Sequence, residues 1–393
     1  MSEVQQIVIT AQRPISDDVL LLIGGVKYGG WTSVSISRGI EFCPNYFELG
    51  FTDEPPNEGV ATAIVPGQPC QVFIGPTLVI TGYVNRVTRN ISATAHNLSV
   101  TGRGKFQDLV DCAATWPGQQ IKSSSVLGVA QKLAAYFGID VSGDAGPPVG
   151  QGGKGSIIPF LVLSLGQTSW EIIDLICRIS GMLAYELPDG NLFLTFNPVD
   201  RAERALREIG GVRLGASSGF KQGFNILSAS STFSDDQRYS KYQAVRYGVA
   251  PFSDYKADTE TNVIAEYIER DVQRFRPRII LMEMNKAQGE QNAKDRAAWE
   301  AARRWGRGQM VRIKTDNWRD SSRRLYEPNT LADVDIPSIN INGKLWLISD
   351  VTYRKSEAGT ECDLLLMPPE SFAVQPTLPP QQVPDDFARG IQR

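Results

Sequence analysis

Short segments of alternating apolar and polar residues dominate the stretch Val19–Ala114, and glycine pairs separate them. In Ser33–Ser37 the side chains of Val34 and Ile36 share one face, and the serines share the other. Three apolar side chains alternate with their neighbours in the same way in Tyr46–Thr52. Alternation with period two indicates half-buried strands. Several such strands at this spacing predict a small antiparallel barrel, closed or nearly closed.

The periodicity changes to that of helices after residue 104. A helix is predicted after Ser124–Ser125, with Gly138 as its stop. Thr168–Glu171 has the sequence of a capping box, in which the first and last side chains bond each other's backbone N–H groups. The turn Pro188–Gly190 then predicts a hairpin. Together these elements predict a small α+β unit.

Strand-like sequence returns at Val212–Tyr247 and again at Met310–Met367. Between them lies Ala287–Trp305, an Ala-rich charged segment that predicts a long helix ended by Gly306 and Gly308. Asn342–Gly343 is the preferred pair for a type I′ hairpin turn. The return of a β segment indicates an internal duplication from element order alone, because no sequence repeat is visible.

The predicted fold class is therefore α+β, mainly β, with two small antiparallel β-barrel domains, an inserted α+β unit and a helical insertion. The predicted boundaries follow from the changes in periodicity. They are 1–104 for the first barrel, 105–200 for the α+β domain, 201–255 plus 309–368 for the second barrel, 256–308 for the helical insertion and 369–393 for a Pro-rich C-terminal tail.

Charge and cysteine content exclude several classes of function. The formal net charge is −3, which gives no strongly basic balance toward nucleic acid. The five cysteines form no C-x-x-C pair, which argues against a disulfide framework or zinc finger. The N-terminus lacks the regions of a signal peptide, and no run approaches the ~18 apolar residues of a membrane span. We predict no metal, no cofactor and no membrane insertion.

Two motifs that resemble catalytic or ligand sites have simpler explanations. The single histidine, His96, lies among polar residues at a strand, where a structural role is commoner than catalysis. Gly150–Gly155 matches G-x-G-x-x-G, but Ile157-Ile158-Pro159 follows where a nucleotide site would open a helix. This segment is predicted to be a loop.

Asp108 and Asp111 are the carboxylate pair closest to the pattern of a glycosidase. They lie three residues apart on a predicted helix, beside Arg103 and Lys105. Charges at that spacing commonly pair on a helix surface, so a salt network is favoured over acid/base chemistry.

The basic cluster Arg303–Arg307, followed by Arg312 and Lys314, resembles a nucleic-acid patch. It also places cations at a helix C-terminus, where the helix dipole favours them, and Glu300 and Asp295 are near enough in sequence to neutralise it. A structural role is favoured. The strand aromatics Trp31, Tyr83 and Trp346 are assigned to the core or an interface.

Five motifs follow one another in the first β segment: G-W-T-S-V-S-I-S-R-G-I-E, Y-F-E-L-G-F-T, P-G-Q-P-C-Q-V-F-I-G, T-G-Y-V-N-R and V-T-G-R-G-K-F-Q-D-L-V-D-C-A-A. Later motifs are R-F-R-P-R-I-I-L and M-P-P-E-S-F. In this order they resemble the Mu-type baseplate hub proteins of contractile-tailed phages. The resemblance spans nearly the whole chain and is weakest in the central third. The hub part of type VI secretion spike proteins is similar in role and fold.

The resemblance implies a homotrimeric ring in the virion baseplate, assembled in the host bacterial cytoplasm. Such a ring adapts the hexameric tail tube to the trimeric central spike, contacts other baseplate (wedge) proteins, and surrounds a channel through which DNA passes without specific binding. The family is not enzymatic. The Pro-rich tail is expected to lie along a neighbouring subunit or the spike, with a disordered tail as the alternative.

Nine residues of the N-terminal motifs are candidate assembly or fold-signature positions: Trp31, Arg38, Glu41, Phe47, Tyr83, Arg86, Arg103, Asp108 and Asp111. Two other functions stay open at this point. One is a tail-associated peptidoglycan hydrolase, and the other is a nucleic-acid-binding module.

Overall fold

The computed structural model describes residues 17–52, 64–91, 96–143, 157–180, 182–195, 219–246, 263–282 and 290–372. The fold is mainly β with few helices, as the sequence predicts. The Gly/Pro-rich loop 150–155, the expected helix stop at Gly181 and the tail beyond residue 372 lie outside the described residues.

The first β unit has seven strands, and its core follows the alternation seen in the sequence. Val34, Ile36, Phe47 and Leu49 all point into one apolar cluster. Their partners on the other face are polar or exposed. The strands are β1 (Val19–Ile23), β2 (Val26–Tyr28), β3 (Ser33–Gly39), β4 (Tyr46–Thr52), β5 (Pro69–Ile74), β6 (Thr77–Ile91) and β7 (His96–Gly104).

The α+β unit has its own apolar core. Ser125 caps the second helix by accepting a hydrogen bond from the N–H of Gly128, and Gly138 closes the following turn at φ 61°. The capping box is confirmed, because Thr168 and Glu171 exchange hydrogen bonds of 3.0 and 3.2 Å. The elements are α1 (Gln107–Asp111), β8 (Gln120–Ser125), α2 (Val126–Ala134), β9 (Val141–Gly143), β10 (Ile157–Val162), α3 (Ser169–Ser180), β11 (Leu183–Glu186) and β12 (Leu192–Thr195).

The rest of the described chain forms a second β unit and a smaller sheet with one helix. The elements are β13 (Phe220–Lys221), β14 (Ser228–Phe233), β15 (Lys241–Arg246), β16 (Val263–Ile268), β17 (Pro277–Met282), α4 (Glu290–Arg307), β18 (Gln309–Thr315), β19 (Thr330–Ile336), β20 (Ile341–Ser356) and β21 (Gly359–Met367). Strands β16, β15 and β17 form a separate sheet, and Ala297 and Ala301 of α4 pack on its buried face.

The two β units pair into one large sheet whose hydrogen-bonded path is open. It runs β14-β18-β21-β20-β3-β4-β7-β6-β5-β1-β2, with β19 paired to β20 and β13 to β19. The predicted closure into two barrels is therefore not confirmed in the described part of the chain. Instead of closing on itself, each unit pairs one strand with the other unit, through β3 and β20.

Two local predictions are wrong. The hairpin turn before β20 lies at Pro337–Asn340, and Asn342–Gly343 lies inside β20, at a register shift where Gly343 has φ 52°. Helix α4 ends at Arg307, directly before Gly308, so the second of the two predicted stops is the one used. Strand β15 pairs with β16 and β17 rather than with the second β unit, so the predicted helical insertion 256–308 also carries strands.

The internal duplication inferred from element order is visible in the strand pairing. The first unit has the order β3-β4-β7-β6-β5, and the second has β14-β18-β21-β20-β19. Chain order matches as well, since in each set of five the first-named strand comes first in the chain and the last two strands in the chain form a long hairpin.

The register of the two units also matches. Both hairpins shift register at one place, between Val84 and Arg86 in β6 and between Ile348 and Asp350 in β20. Beyond the shift Arg86 pairs with Thr101, and Asp350 with Leu365. Residue 86 of the first unit therefore corresponds to residue 350 of the second, and residue 101 corresponds to residue 365. The two pairs differ by the same number of residues. A bulge at the same position re-aims both long strands equally.

Candidate assembly surfaces

The two β units meet along a seam, in which β3 pairs antiparallel with the second half of β20, from Gly39↔Asp350 to Val34↔Lys355. The hydroxyls of Ser37 and Thr352 lie 2.9 Å apart across it. Gly39 is closely packed, because a Cβ there would lie 2.2 Å from Oδ1 of Asp350 and that carboxylate would have to move. Burial raises the pKa of Asp350 to about 6. We call this contact the in-chain seam.

Arg38 lies on the in-chain seam opposite Val351. Its side chain is buried, and its Nη1 atom lies 3.9 Å from Oε1 of the half-exposed Glu327. This ion pair joins a residue of the first β unit to one of the second, but Nε and Nη1 of Arg38 have no hydrogen-bond partner among the described residues. The prediction that Arg38 is an assembly position remains untested.

Glu186, at the end of β11, joins three parts of the chain. It is 3% exposed and accepts hydrogen bonds from the backbone N–H groups of Asn45, at 2.8 Å, and Phe106, at 3.3 Å. Gly104 packs on it so closely that a Cβ would lie 2.0 Å from Oε1. Burial raises the pKa of Glu186 to about 8, although both N–H groups and Arg38 oppose the shift. The sequence analysis did not single out this residue, and its only signal was one charge among apolar neighbours.

Four of the candidate positions meet where β7 runs into α1. Arg103 pairs with Asp111 through both guanidinium nitrogens, at 2.5 and 3.3 Å. Burial, and then repulsion by Asp111, raise the pKa of Asp108. Tyr83 lies opposite Arg103 in the sheet, and burial raises its pKa. The salt network is confirmed for Arg103 and Asp111, whereas Lys105 donates to the carbonyl of Gly138.

The other candidate positions are separated from these. Trp31 and Phe47 are buried in the β core. Arg86 is exposed on β6, next to the register shift. Glu41 faces the C-terminal end of α4, where it pairs with Arg307 at 3.1 Å and with Arg303 at 3.7 Å.

Four cations of the basic cluster predicted at the end of α4, Arg303, Arg304, Arg307 and Lys314, are paired with carboxylates. Besides the pairs with Glu41, Arg304 binds Glu300 at 2.7 Å, and Lys314 binds Glu361 at 2.7 Å. A cation that already has a carboxylate partner releases few counterions from a nucleic acid. The structural interpretation of the cluster is therefore favoured by its contacts.

One face of the large sheet is polar across eight strands. A single row of paired residues crosses from β14 to β6 on that face: Ser228, Lys314, Asp363, Thr352, Ser37, Tyr46, Arg103 and Tyr83. Charges on this face are balanced locally, as in the bond of 2.6 Å from Arg354 to Asp363. The opposite face carries the apolar core.

A cleft of about 540 Å³ lies between the β3–β4 link, α3 and the end of α4. Its walls include Trp170, Arg303 and Phe372. Burial raises the pKa of the Cys43 and Cys177 thiols, which keeps them protonated and poor nucleophiles. In the described ranges, no three His, Cys, Asp or Glu residues are grouped to hold a metal ion. No helix among those ranges is long and apolar enough to cross a membrane.

Three family models match successive parts of the chain. They are the N-terminal domain of Mu phage baseplate assembly protein GpP-like at residues 18–104, the second domain of baseplate hub protein gp44-like at 106–196, and the fourth domain of Mu phage baseplate assembly protein GpP at 289–375. The chain is 28% identical to baseplate hub protein gp44 of Escherichia phage Mu over 367 residues, which cover 92% of this chain and 90% of that protein.

Solved structures agree. The 43 kDa tail protein of prophage MuSo2 from Shewanella oneidensis matches with a TM-score of 0.73 and 26% identity, over 91% of this chain and 99% of that one. A component of the type VI secretion system from E. coli shares the fold, with a TM-score of 0.52 and 8% identity over 88% and 76% of the two chains. The fold and these matches define a class, the tail baseplate hub proteins of phages. Within that class, the chain belongs to the Mu-type baseplate hub family.

Proposed function

We propose that this chain forms a homotrimeric ring at the centre of the baseplate, where it adapts the hexameric tail tube to the trimeric central spike. The observation that carries the proposal is the internal duplication. Because each chain holds two β units of the same strand order and register, three chains present six similar units. Six units suit a sixfold tube, while the threefold symmetry of the chains suits a spike.

The ring surrounds a channel for DNA, and the polar face of the large sheet is its candidate wall. Several cations on this face are paired with carboxylates, as Lys314 is with Glu361 and Arg354 with Asp363. A wall of this kind offers DNA few unpaired cations, so little binding energy comes from counterion release. DNA would then pass without being retained.

The protein acts as a structural part and not as an enzyme. Its partners are the wedge proteins, the tail tube and the spike. Assembly takes place in the host cytoplasm. We propose unit boundaries at residues 104, 200, 308 and 368, with the sheet that contains β15 assigned to the insertion rather than to the second β unit. We place the Pro-rich tail along a neighbouring subunit or the spike. If a protease cleaved the tail at the same rate in the free and the assembled protein, the proposed placement of the tail would be refuted.

The mass of the purified full chain tests the trimer. Native mass spectrometry should show three copies, either for the protein alone or after addition of the spike protein of the same phage. A stable dimer under both conditions would overturn the proposal, because two copies cannot match a trimeric spike.

A further inference from the structure

A small cavity of about 200 Å³ lies where the first β unit, the α+β unit and the second β unit meet. Arg38, Gly39 and Asn45 form one wall, residues 185–188 form the second, and residues 327–330 form the third. We call this cavity the junction pocket. It is larger than one water, whose share of liquid volume is about 30 Å³, and smaller than the roughly 300 Å³ of the smallest drug-sized sites. It therefore suits an ion of a few heavy atoms.

Arg38 brings a buried cation to the wall of the junction pocket. The residue is 5% exposed, and its Nε and Nη1 atoms have no hydrogen-bond partner among the described residues. Its ion pair with Glu327 is long, at 3.9 Å from Nη1 to Oε1, and the Glu327 side chain is 45% exposed. A buried charge requires a partner that offsets the charge and also accepts its hydrogen bonds. Glu327 supplies only part of this.

Two other acidic groups near Arg38 supply little negative charge at neutral pH. Glu186 lines the same pocket, but both of its oxygens accept hydrogen bonds from backbone N–H groups, and burial raises its pKa to about 8. The hydroxyl of Tyr353 donates to the carbonyl of Tyr326, and burial raises the pKa of Tyr353 as well. Both groups are mainly protonated at pH 7, so neither balances the guanidinium.

The junction pocket also holds an acceptor that has no donor. Asn329 is 6% exposed, and its Nδ2 donates to the hydroxyl of Tyr185 at 3.0 Å. Its Oδ1 is buried and has no hydrogen-bond donor among the described residues. Buried polar groups are normally paired. An occupant that pairs all of these atoms has to accept hydrogen bonds from Arg38 and donate one to Asn329.

We propose that the junction pocket binds one small oxyanion that carries a proton, of the type of hydrogen phosphate. Its oxygens accept hydrogen bonds from Nε and Nη1 of Arg38, and its O–H donates to Oδ1 of Asn329. Glu327 turns out into solvent when the anion enters, because two anions beside one guanidinium repel each other. Water also accepts and donates hydrogen bonds, but it does not offset the charge. The site does not depend on the proposed ring.

The bound anion would act as a link between units. Its two partners belong to the first and the second β unit, and the α+β unit forms the remaining wall of the junction pocket. A ligand that binds only this folded arrangement stabilises it in proportion to its occupancy. The stability of the whole chain should therefore depend on the concentration of the anion.

Titration of the full-length protein with inorganic phosphate tests the site. Phosphate replaces chloride at constant ionic strength and pH 7, and differential scanning fluorimetry follows the melting temperature. The melting temperature should rise with phosphate in the way that one binding site predicts, and isothermal titration calorimetry should give a stoichiometry of one per chain. A melting temperature that does not respond to phosphate, with no heat of binding, would overturn the proposal.

Sulfate tests the role of the proton. It has the tetrahedral shape of phosphate but carries no proton near neutral pH, so it cannot donate to Oδ1 of Asn329. Leaving that buried acceptor unpaired should weaken binding at least about tenfold relative to phosphate. Equal affinity for the two anions would overturn the proposal that the occupant carries a proton.

Two substitutions test the role of the charges. Arg38→Gln should abolish the response to phosphate. Glu327→Gln keeps the arginine, removes the carboxylate that competes for Nη1, and should tighten phosphate binding at least about tenfold. Glu357→Gln is the matched control, because Glu357 is exposed and does not line the junction pocket. Equal affinities of the Glu327→Gln and Glu357→Gln proteins would overturn the proposal, whether or not Arg38→Gln folds.

Discussion

Replacing Glu186 by glutamine should remove most of the pH dependence of stability near neutral pH. The carboxylate is buried between three parts of the chain and accepts hydrogen bonds from Asn45 and Phe106. Its pKa is raised from 4.5 to about 8 in the folded protein, so the folded state holds a proton that the unfolded chain releases. The free energy of unfolding therefore falls as pH rises from 4.5 toward 8.

The magnitude follows from the size of the shift. About 1.4 kcal/mol per unit of pKa gives a loss of about 5 kcal/mol across the whole interval, as an upper figure. Glutamine does not ionise, but its amide has one acceptor where the carboxyl has two. One buried N–H is then left unpaired, at a cost of about 1–3 kcal/mol that does not change with pH. The variant should be less stable than the wild type at pH near 5 and more stable near 8.

Urea unfolding followed by circular dichroism, at matched ionic strength and several pH values, measures both curves. Glu327→Gln is the control, because Glu327 lines the same small cavity and is half exposed. Parallel curves for wild type and Glu186→Gln between pH 5 and 8 would refute the argument, since Glu186 would then be ionised in the folded protein throughout.

Three further predictions concern packing, surface charge and catalysis. Gly306→Ala should lower the melting temperature, because the new Cβ would lie 2.6 Å from Cα of Ser371. Alanine in place of glycine normally stabilises a helix by about 1 kcal/mol, so a rise in melting temperature would contradict this close packing. Glu41→Gln removes two partly exposed ion pairs and should change the free energy of unfolding by less than about 1 kcal/mol; a loss of several kcal/mol in urea unfolding would show that the pairs matter more. The protein should produce no clearing on a peptidoglycan zymogram, and clearing that Asp111→Asn abolishes would revive the hydrolase hypothesis.

Local sequence rules predicted the elements of the fold well. Alternation located β3 and β4, and the capping box at Thr168 located the start of α3, because each depends on residues close together in the chain. The error at Asn342–Gly343 has a physical cause. A glycine with positive φ serves a bulge inside a strand as well as it serves a turn, and the turn before β20 uses Asn340 in the left-handed conformation instead.

The repeat within the chain cannot be recognised in the sequence, but the strand pairing of the two β units shows it. Equivalent positions carry unlike residues, such as Arg86 and Asp350. The insertion between β14 and β18 also breaks the spacing of equivalent strands. Glu186 was missed for a related reason, because its partners Asn45 and Phe106 are distant in sequence and use backbone N–H groups that every residue has.

The central claim, that two equivalent β units per chain build a threefold ring, is tested most directly by a cryo-electron microscopy image of the assembled full-length protein. The account predicts a threefold ring around a central hole, with six similar lobes. A twofold particle, or a threefold ring in which the two β units of a chain occupy unlike positions, would contradict it.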